Sequence, residues 1–217
     1  VGLAARAMAR TERDEATPAV ETARTPLFDR QVHGEKQSWL EARLDVSRQW
    51  VLDEHRMKSG EAIWPGTGYI ELLAEALAER GIEGPFEIED LTFLRPLHVP
   101  DGEARTVRVT LAPESGGHGL AVDSEHPTGL LRHAEAKVRT LRTAEPVALD
   151  IAAALARCGE RTLVAGDRPL RSAQEDNLQF GARWQVLRSI TFGRGEAIAK
   201  LALSEAFVSD LDQGYRL

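Results

Sequence analysis

Cysteine is almost missing from this chain. Cys158 stands alone, so no internal disulfide can form, and that fits a reducing, cytoplasmic setting. No apolar run reaches the roughly 20 residues that a membrane-crossing helix needs, and the first residues lack the basic and apolar regions of a secretory signal. A surplus of positive charge is missing too. Lys and Arg number 27 against 34 Asp and Glu, a net charge of −7. The cations fall singly between acidic or apolar neighbours, which argues against a nucleic-acid footprint. Neither membrane nor nucleic acid is therefore expected as a partner. No two histidines share metal-ligand spacing on one face, and with a single thiol this argues against a metal site. There is no Gly-x-Ser-x-Gly elbow for a serine hydrolase. Gly66-Thr-Gly68 fails as a dinucleotide loop, because Glu71 stands where the third glycine would be.

What is present is ordinary for a globular protein. At 217 residues with 42% hydrophobic side chains, the chain can build one large or two small cores. Residues 1 to 24 are rich in Ala, Arg, Glu and Thr; Val1 to Arg10 could form a helix, and Thr11 to Arg24 has no apolar period. That segment reads as a linker from something upstream. Trp39 to Val46 alternates as a short strand, with Leu40, Ala42, Leu44 and Val46 on one face. From Tyr69 to Arg80, Ile70, Leu73, Ala74 and Leu77 recur at helical spacing, and Leu72 and Ala76 widen the stripe. Glu71, Glu75 and Glu79 occupy the one polar edge, and Gly81 is the expected stop. A helix apolar around most of its girth must be wrapped by a sheet.

The strands of that sheet are readable in the residues after Gly81. Phe86 to Leu94 and Ala104 to Ala112 have period 2, Pro113 to Gly117 reads as a turn, and Leu120 to Ser124 and His133 to Leu141 read as further strands. One helix followed by an antiparallel meander indicates an α+β fold. Leu149 to Cys158 is an Ala-rich helix between two halves. Arg183 to Phe192 and Ala197 to Leu203 read as strands joined at Gly193-Arg-Gly195. No second buried helix comes after them, so a sheet face would be left uncovered.

One stretch concentrates chemistry. His55 is followed by a polar loop through Gly60 and then by Pro65-Gly66-Thr67, where Pro65 suits the first helical position because its missing N–H would be unpaired there. This sets a proton-transfer side chain beside a helix N-terminus whose free N–H groups can stabilise negative charge. The bland alternative for His55 is a partly solvated loop histidine after an acidic pair. His133 alternates with apolar neighbours and reads as a structural histidine, and Cys158 as a small packed hydrophobe.

His55 to Glu71 resembles the His-x-x-x-Gly-x-x-x-x-Pro motif of modular polyketide synthase dehydratase domains, although four residues, not three, separate His55 from Gly60. Phe93-Leu-Arg-Pro-Leu97, Arg132-His133-Ala134 and the helix at Leu149 to Cys158 are similar to that family as well. Phe180-Gly181-Ala182-Arg183-Trp184 resembles its Tyr-Gly-Pro-x-Phe motif, with Phe for Tyr and Ala for Pro.

The resemblance implies a double hot dog, two helix-in-sheet units side by side, with the second unit incomplete at the C-terminus. On that scheme residues 1–24 are the upstream linker and 25–143 the N-terminal unit with the catalytic His. Residues 144–165 are the inter-unit linker and 166–217 the start of the truncated C-terminal unit. It also implies dehydration of a β-hydroxyacyl chain on acyl carrier protein to an α,β-unsaturated thioester. His55 would be the general base, with Gly66 and Thr67 at the thioester carbonyl and Gly60 and Pro65 as motif support. Phe180, Gly181, Trp184 and Leu187 are candidates for a substrate tunnel. The partner acid, an Asp in the family, is expected beyond Leu217. No cofactor is implied; the substrate rides on the phosphopantetheine of acyl carrier protein. Neighbouring synthase domains and a second copy of the parent chain, as a homodimer, are the other implied partners. A non-catalytic scaffold or dimerisation module, and an enoyl isomerase using the same His55, remain alternatives on the same fold.

Overall fold

Nine of the fourteen residues from Gly66 to Glu79 are buried, including Tyr69, Leu72, Leu73, Ala76 and Leu77, and this burial organises the rest of the chain. The computed structural model describes residues 18–141, 147–166 and 170–215; Val1 to Arg10 lies outside them. In chain order these form β1 (Ala19–Thr22), β2 (Arg30–His33), β3 (Ser38–Asp45), α1 (Trp50–Asp53), β4 (His55–Met57), β5 (Ala62–Ile63) and α2 (Gly66–Glu79). Next come β6 (Phe86–Phe93), β7 (His98–Val99), β8 (Ala104–Glu114), β9 (Gly117–His126) and β10 (Gly129–Thr140). The remainder holds α3 (Ile151–Arg157), β11 (Arg161–Val164), β12 (Leu178–Phe180), β13 (Leu187–Phe192) and β14 (Ala197–Leu201). Short 3-10 segments lie at Ala173–Asp176, Ala182–Trp184 and Glu205–Gln213.

Seven strands make one antiparallel sheet in the order β1-β2-β3-β8-β9-β10-β6. Alternate residues point inward: Leu40, Ala42 and Leu44 from β3, Val107, Val109 and Leu111 from β8, and Leu120 and Val122 from β9. They close on the apolar girth of α2 in a single cluster. Burying each such side chain contributes about 1.5–3 kcal/mol. Register shifts in β10, against β9 between Arg132 and Ala134 and against β6 between Glu135 and Lys137, sharpen the twist that lets the sheet wrap a helix. At the first of these, His133 and Ala134 are both buried although adjacent. The His133 ring bonds Ser124 Oγ at 2.8 Å and Arg95 O at 3.2 Å, so it is a satisfied structural histidine.

Several expectations are corrected. The strands of the β8–β9 hairpin run through Glu114 and from Gly117, so the turn is tighter than a Pro113–Gly117 reading, and β10 begins at Gly129. Ala19–Thr22, read as linker, is an edge strand on β2; its side chains are all exposed, so only backbone pairing marks it. Arg183 to Phe192 is not one strand, because Ala182–Trp184 is a 3-10 turn and β13 starts at Leu187. A separate three-stranded sheet has the order β11-β13-β14, so Arg161–Val164, expected in the linker, pairs with a later strand. Among the described residues no helix lies across it, and Leu163, Val164 and Leu201 are exposed.

The polar edge of α2 differs most from expectation. Glu75 is fully buried and Glu71 nearly so, because the segment before β2 crosses them. Glu79 Oε1 accepts the N–H groups of Arg24 (2.5 Å) and Thr25 (2.7 Å), and Glu75 Oε2 accepts that of Leu27 (2.8 Å). The carboxylates thus tie down a strap of backbone that has no strand partner. Burial pushes the Glu75 carboxyl up to about 7, with the Leu27 N–H opposing it and Glu71 adding to the rise.

A carboxyl raised in the folded state favours folding at low pH, and that contribution disappears as pH rises through about 7. Glu75→Gln is therefore expected to match wild type near pH 4.5 and to exceed it by roughly 3 kcal/mol above pH 7.5. Denaturant unfolding at both pH values checks this, and an equal difference at the two would contradict it.

Candidate active site

His55 opens β4 immediately after the short helix α1, so its backbone is anchored on both sides. β4 returns as β5 through a tight hairpin in which Met57 N–H bonds Glu61 O at 2.8 Å and Gly60 N–H bonds Met57 O at 2.9 Å. Gly60 has φ +98°, a conformation that costs a side-chain-bearing residue dearly. The four residues between His55 and Gly60 lead into this turn, and Arg56 faces Ala62.

The hairpin sets the chemistry of the imidazole. His55 Nδ1 lies 2.7 Å from the carbonyl oxygen of Ile63. A carbonyl only accepts, so Nδ1 carries the proton and the neutral ring keeps its basic lone pair on Nε2. The ring is buried. Burial holds its pKa below the ordinary imidazole value, with the Ile63 bond partly opposing that shift. His55 is thus neutral and ready to accept a proton near neutral pH.

Pro65 does not occupy the first helical position. It is the cap residue, with ψ 152°, and α2 begins at Gly66. Gly66 and Thr67 therefore stand in the first turn, where backbone N–H groups have no intrahelical acceptor. A cavity of about 310 Å³ opens there, lined by Ile63, Trp64, Gly66, Tyr69, Phe93 and Leu94 among others. Ile63 links the two halves of the site: its carbonyl orients His55, and the residue itself lines this cavity. A Cβ on Gly66 would come 3.3 Å from the Phe93 ring, so the helix start is kept narrow. Burial raises the Tyr69 phenol, which stays a neutral donor.

The second half of the chain reaches the same place. β12 pairs with β4 with Phe180 opposite His55. The Phe180 and Trp184 rings lie 5.4 and 5.3 Å from the imidazole and 5.6 Å from each other. Gly181 comes directly after, and its N–H bonds Glu54 O at 2.9 Å. Leu187 is placed elsewhere, in β13 opposite Leu201. Of the residues singled out by sequence, His55, Phe180, Gly181 and Trp184 come together, and Gly66 and Thr67 stand at the adjoining helix start.

Three further residues take part although no role follows from their sequence context. Trp64 closes over the first turn of α2. Phe93 lines the cavity from the end of β6. Glu54 meets Arg183 across 129 positions. The acidic pair before His55 is visible in the sequence, but its partner is not.

The family model for the polyketide synthase dehydratase domain matches residues 25–125. Polyketide synthase PksM of Bacillus subtilis is 23% identical over 178 residues, covering 78% of this chain and 4% of that protein. Mycoketide-CoA synthase of Mycobacterium tuberculosis is 35% identical over 113 residues, covering 50% and 3%. The chain thus spans only a few hundredths of the length of these synthases. Among solved structures, the dehydratase domain from the CurF module of curacin polyketide synthase superposes with a TM-score of 0.73 at 21% identity, over 88% of this chain and 70% of that one. A trans-AT polyketide synthase dehydratase domain from Brevibacillus brevis gives 0.74 at 18%, over 89% and 69%. The fold is the α+β double hot dog of these dehydratases.

Gly68 tests how tightly this helix start is packed. A Cβ there would stand 2.6–2.9 Å from the Trp64 indole, closer than van der Waals contact permits. Gly68→Ala is expected to lower stability by about 1–3 kcal/mol and to shift Trp64 fluorescence. A variant with unchanged midpoint and spectrum would contradict this packing.

Proposed function

We propose that this chain is the greater part of a dehydratase domain that removes water from a β-hydroxyacyl thioester, giving the α,β-unsaturated thioester. The acyl chain is carried on the phosphopantetheine arm of acyl carrier protein, and no bound cofactor is needed. The observation that carries this reading is His55: a buried neutral imidazole with Nδ1–H committed to Ile63 O, next to a helix N-terminus.

The chemistry rests on what each group can do. His55 Nε2 takes the Cα proton, becoming imidazolium. The electron pair left at Cα forms the Cα–Cβ double bond as the Cβ–O bond breaks, and the hydroxyl leaves as water once protonated. Negative charge on the thioester oxygen during this step is stabilised by the free N–H groups of Gly66 and Thr67. Phe180 and Trp184 exclude water from the base, which strengthens the electrostatics around it. Phe180 offers no hydroxyl, so this position contributes shape only. We place the acid that protonates the leaving hydroxyl beyond Leu217.

The same reading covers the organisation of the chain. We assign 25–143 to a first unit carrying the base, 144–165 to a linker and 166–217 to the start of the second unit, in a cytoplasmic synthase that is a homodimer. Neighbouring synthase domains and acyl carrier protein are its partners.

The reading is tested on the complete domain in its parent chain. His55→Ala is expected to lower turnover of a β-hydroxyacyl thioester by about 10²–10⁴; near-native turnover would remove His55 from the mechanism. The neutral ring is the active form, so kcat/KM should fall as pH drops through the His55 pKa. Because burial lowers that pKa, the acid limb should lie below the ordinary imidazole range. An acid limb at or above that range would contradict the burial of the base.

A further inference from the structure

Glu54, the residue before His55, has a side chain only 14% exposed. Its acceptors all serve residues 181–183. Its backbone carbonyl takes the Gly181 N–H at 2.9 Å, Oε2 takes the Arg183 N–H at 2.6 Å, and Oε1 takes the Arg183 guanidinium. Arg183 Nε continues to Asp210 Oδ2 at 2.6 Å, and the guanidinium lies 4.3 Å from the Phe207 ring and 5.4 Å from that of Trp50. Even Gly181 conforms to this contact, since a Cβ there would stand 2.3 Å from Glu54 Cγ.

A partly buried ion pair such as this, with the Arg183 side chain 25% exposed, adds little net stability, because partial desolvation and solvent screening offset most of its attraction. What it does supply is geometry. A carboxylate that holds both the backbone N–H and the side chain of one arginine leaves that residue a single placement. Phe180 and Trp184 flank the clamped segment, and both rings lie against His55.

We propose that Glu54 and Arg183 are positioning residues for His55: their clamp holds Phe180 and Trp184 against the imidazole and so fixes its orientation and keeps water from it. Its consequence for turnover rests on His55 being the base. The charged groups near the ring are few. Glu54 and Asp210 share the one cation Arg183, which leaves a net charge of −1 on the trio, and Arg56, on the other side of His55 in sequence, is committed to Asp53 and Asp101. Burial, which the clamp maintains, is the leading cause of the lowered His55 pKa.

The test is the imidazole titration of His55 by NMR in wild type, Glu54→Ala, Arg183→Ala and Arg183→Lys, with Asp101→Asn as control for the neighbouring ion pair. Glu54→Ala and Arg183→Ala should raise the midpoint toward the ordinary imidazole value and abolish the ring-current shifts from Phe180 and Trp184. Arg183→Lys keeps the backbone N–H bond and the charge, so it should fall between, and Asp101→Asn should leave His55 unmoved. Folded alanine variants with an unmoved His55 would overturn the proposal. Should either alanine variant fail to fold, Glu54→Gln, which keeps the shape and removes the charge, gives the same decision. In the complete domain the alanine variants should lower kcat about 10-fold with little change in KM. If His55 moves and kcat does not, the clamp stands and the assignment of His55 as base falls. If His55→Ala abolishes turnover while the clamp variants change neither His55 nor kcat, the base stands and the clamp falls.

Discussion

Helix α2 has almost no face it can show to water, and the molecule is arranged around that constraint. Leu72, Leu73 and Ala76 are fully buried, and even the polar edge of the helix is covered. A flat sheet would cover one side of such a helix. The seven-stranded sheet covers more because it twists, with two register shifts in β10 helping it to bend. The strap from Ala23 to Phe28 covers what remains, held by Glu75 and Glu79 through its backbone N–H groups. Burial of the helix thereby immobilises its N-terminus. A fixed helix start is what a charge-stabilising site requires, since donors that need not reorganise during reaction stabilise it most.

The candidate site is built from the ends of elements and not from their middles. His55 begins a three-residue strand, Gly66 begins α2, Phe93 ends β6 and Trp184 ends a 3-10 turn. Each end is fixed by a contact made elsewhere: His55 by Ile63, Gly66 by Phe93, and Trp184 by the grip of Glu54 on Arg183. Side chains at such positions are freer of the inward–outward alternation that commits mid-strand residues to the core. Two parts of the chain far apart in sequence therefore converge on one imidazole without disturbing either core.

Periodicity made some of this legible in advance. α2, β3, β6 and β8 were readable because their inward faces repeat every 3.6 or every two residues over eight positions or more. The short strands β4, β5, β7 and β12 were not, since two or three residues cannot display a period; backbone pairing places them, and single side chains such as Ala62 and Val99 then enter the core. Arg183 to Phe192 alternates well enough to be read as a strand. Its first residues bend away instead, because Arg183 meets Glu54 and Trp184 packs on His55. The acid edge of α2 misled for a similar reason: a carboxylate looks solvent-facing until the backbone that crosses it is known.

Local spacing and residue chemistry are enough to read the α+β class and the wrapped helix from the chain, and to bring His55, Gly66 and Thr67 forward as candidates. Long-range contacts are needed to show which nitrogen of His55 is free, that Phe180 and Trp184 pack against its ring, and that Glu54 grips the Arg183 between them. Those outcomes depend on contacts between residues up to 129 positions apart. No local pattern encodes such contacts; they exist only once the helix is buried and its surrounding strands are brought into register.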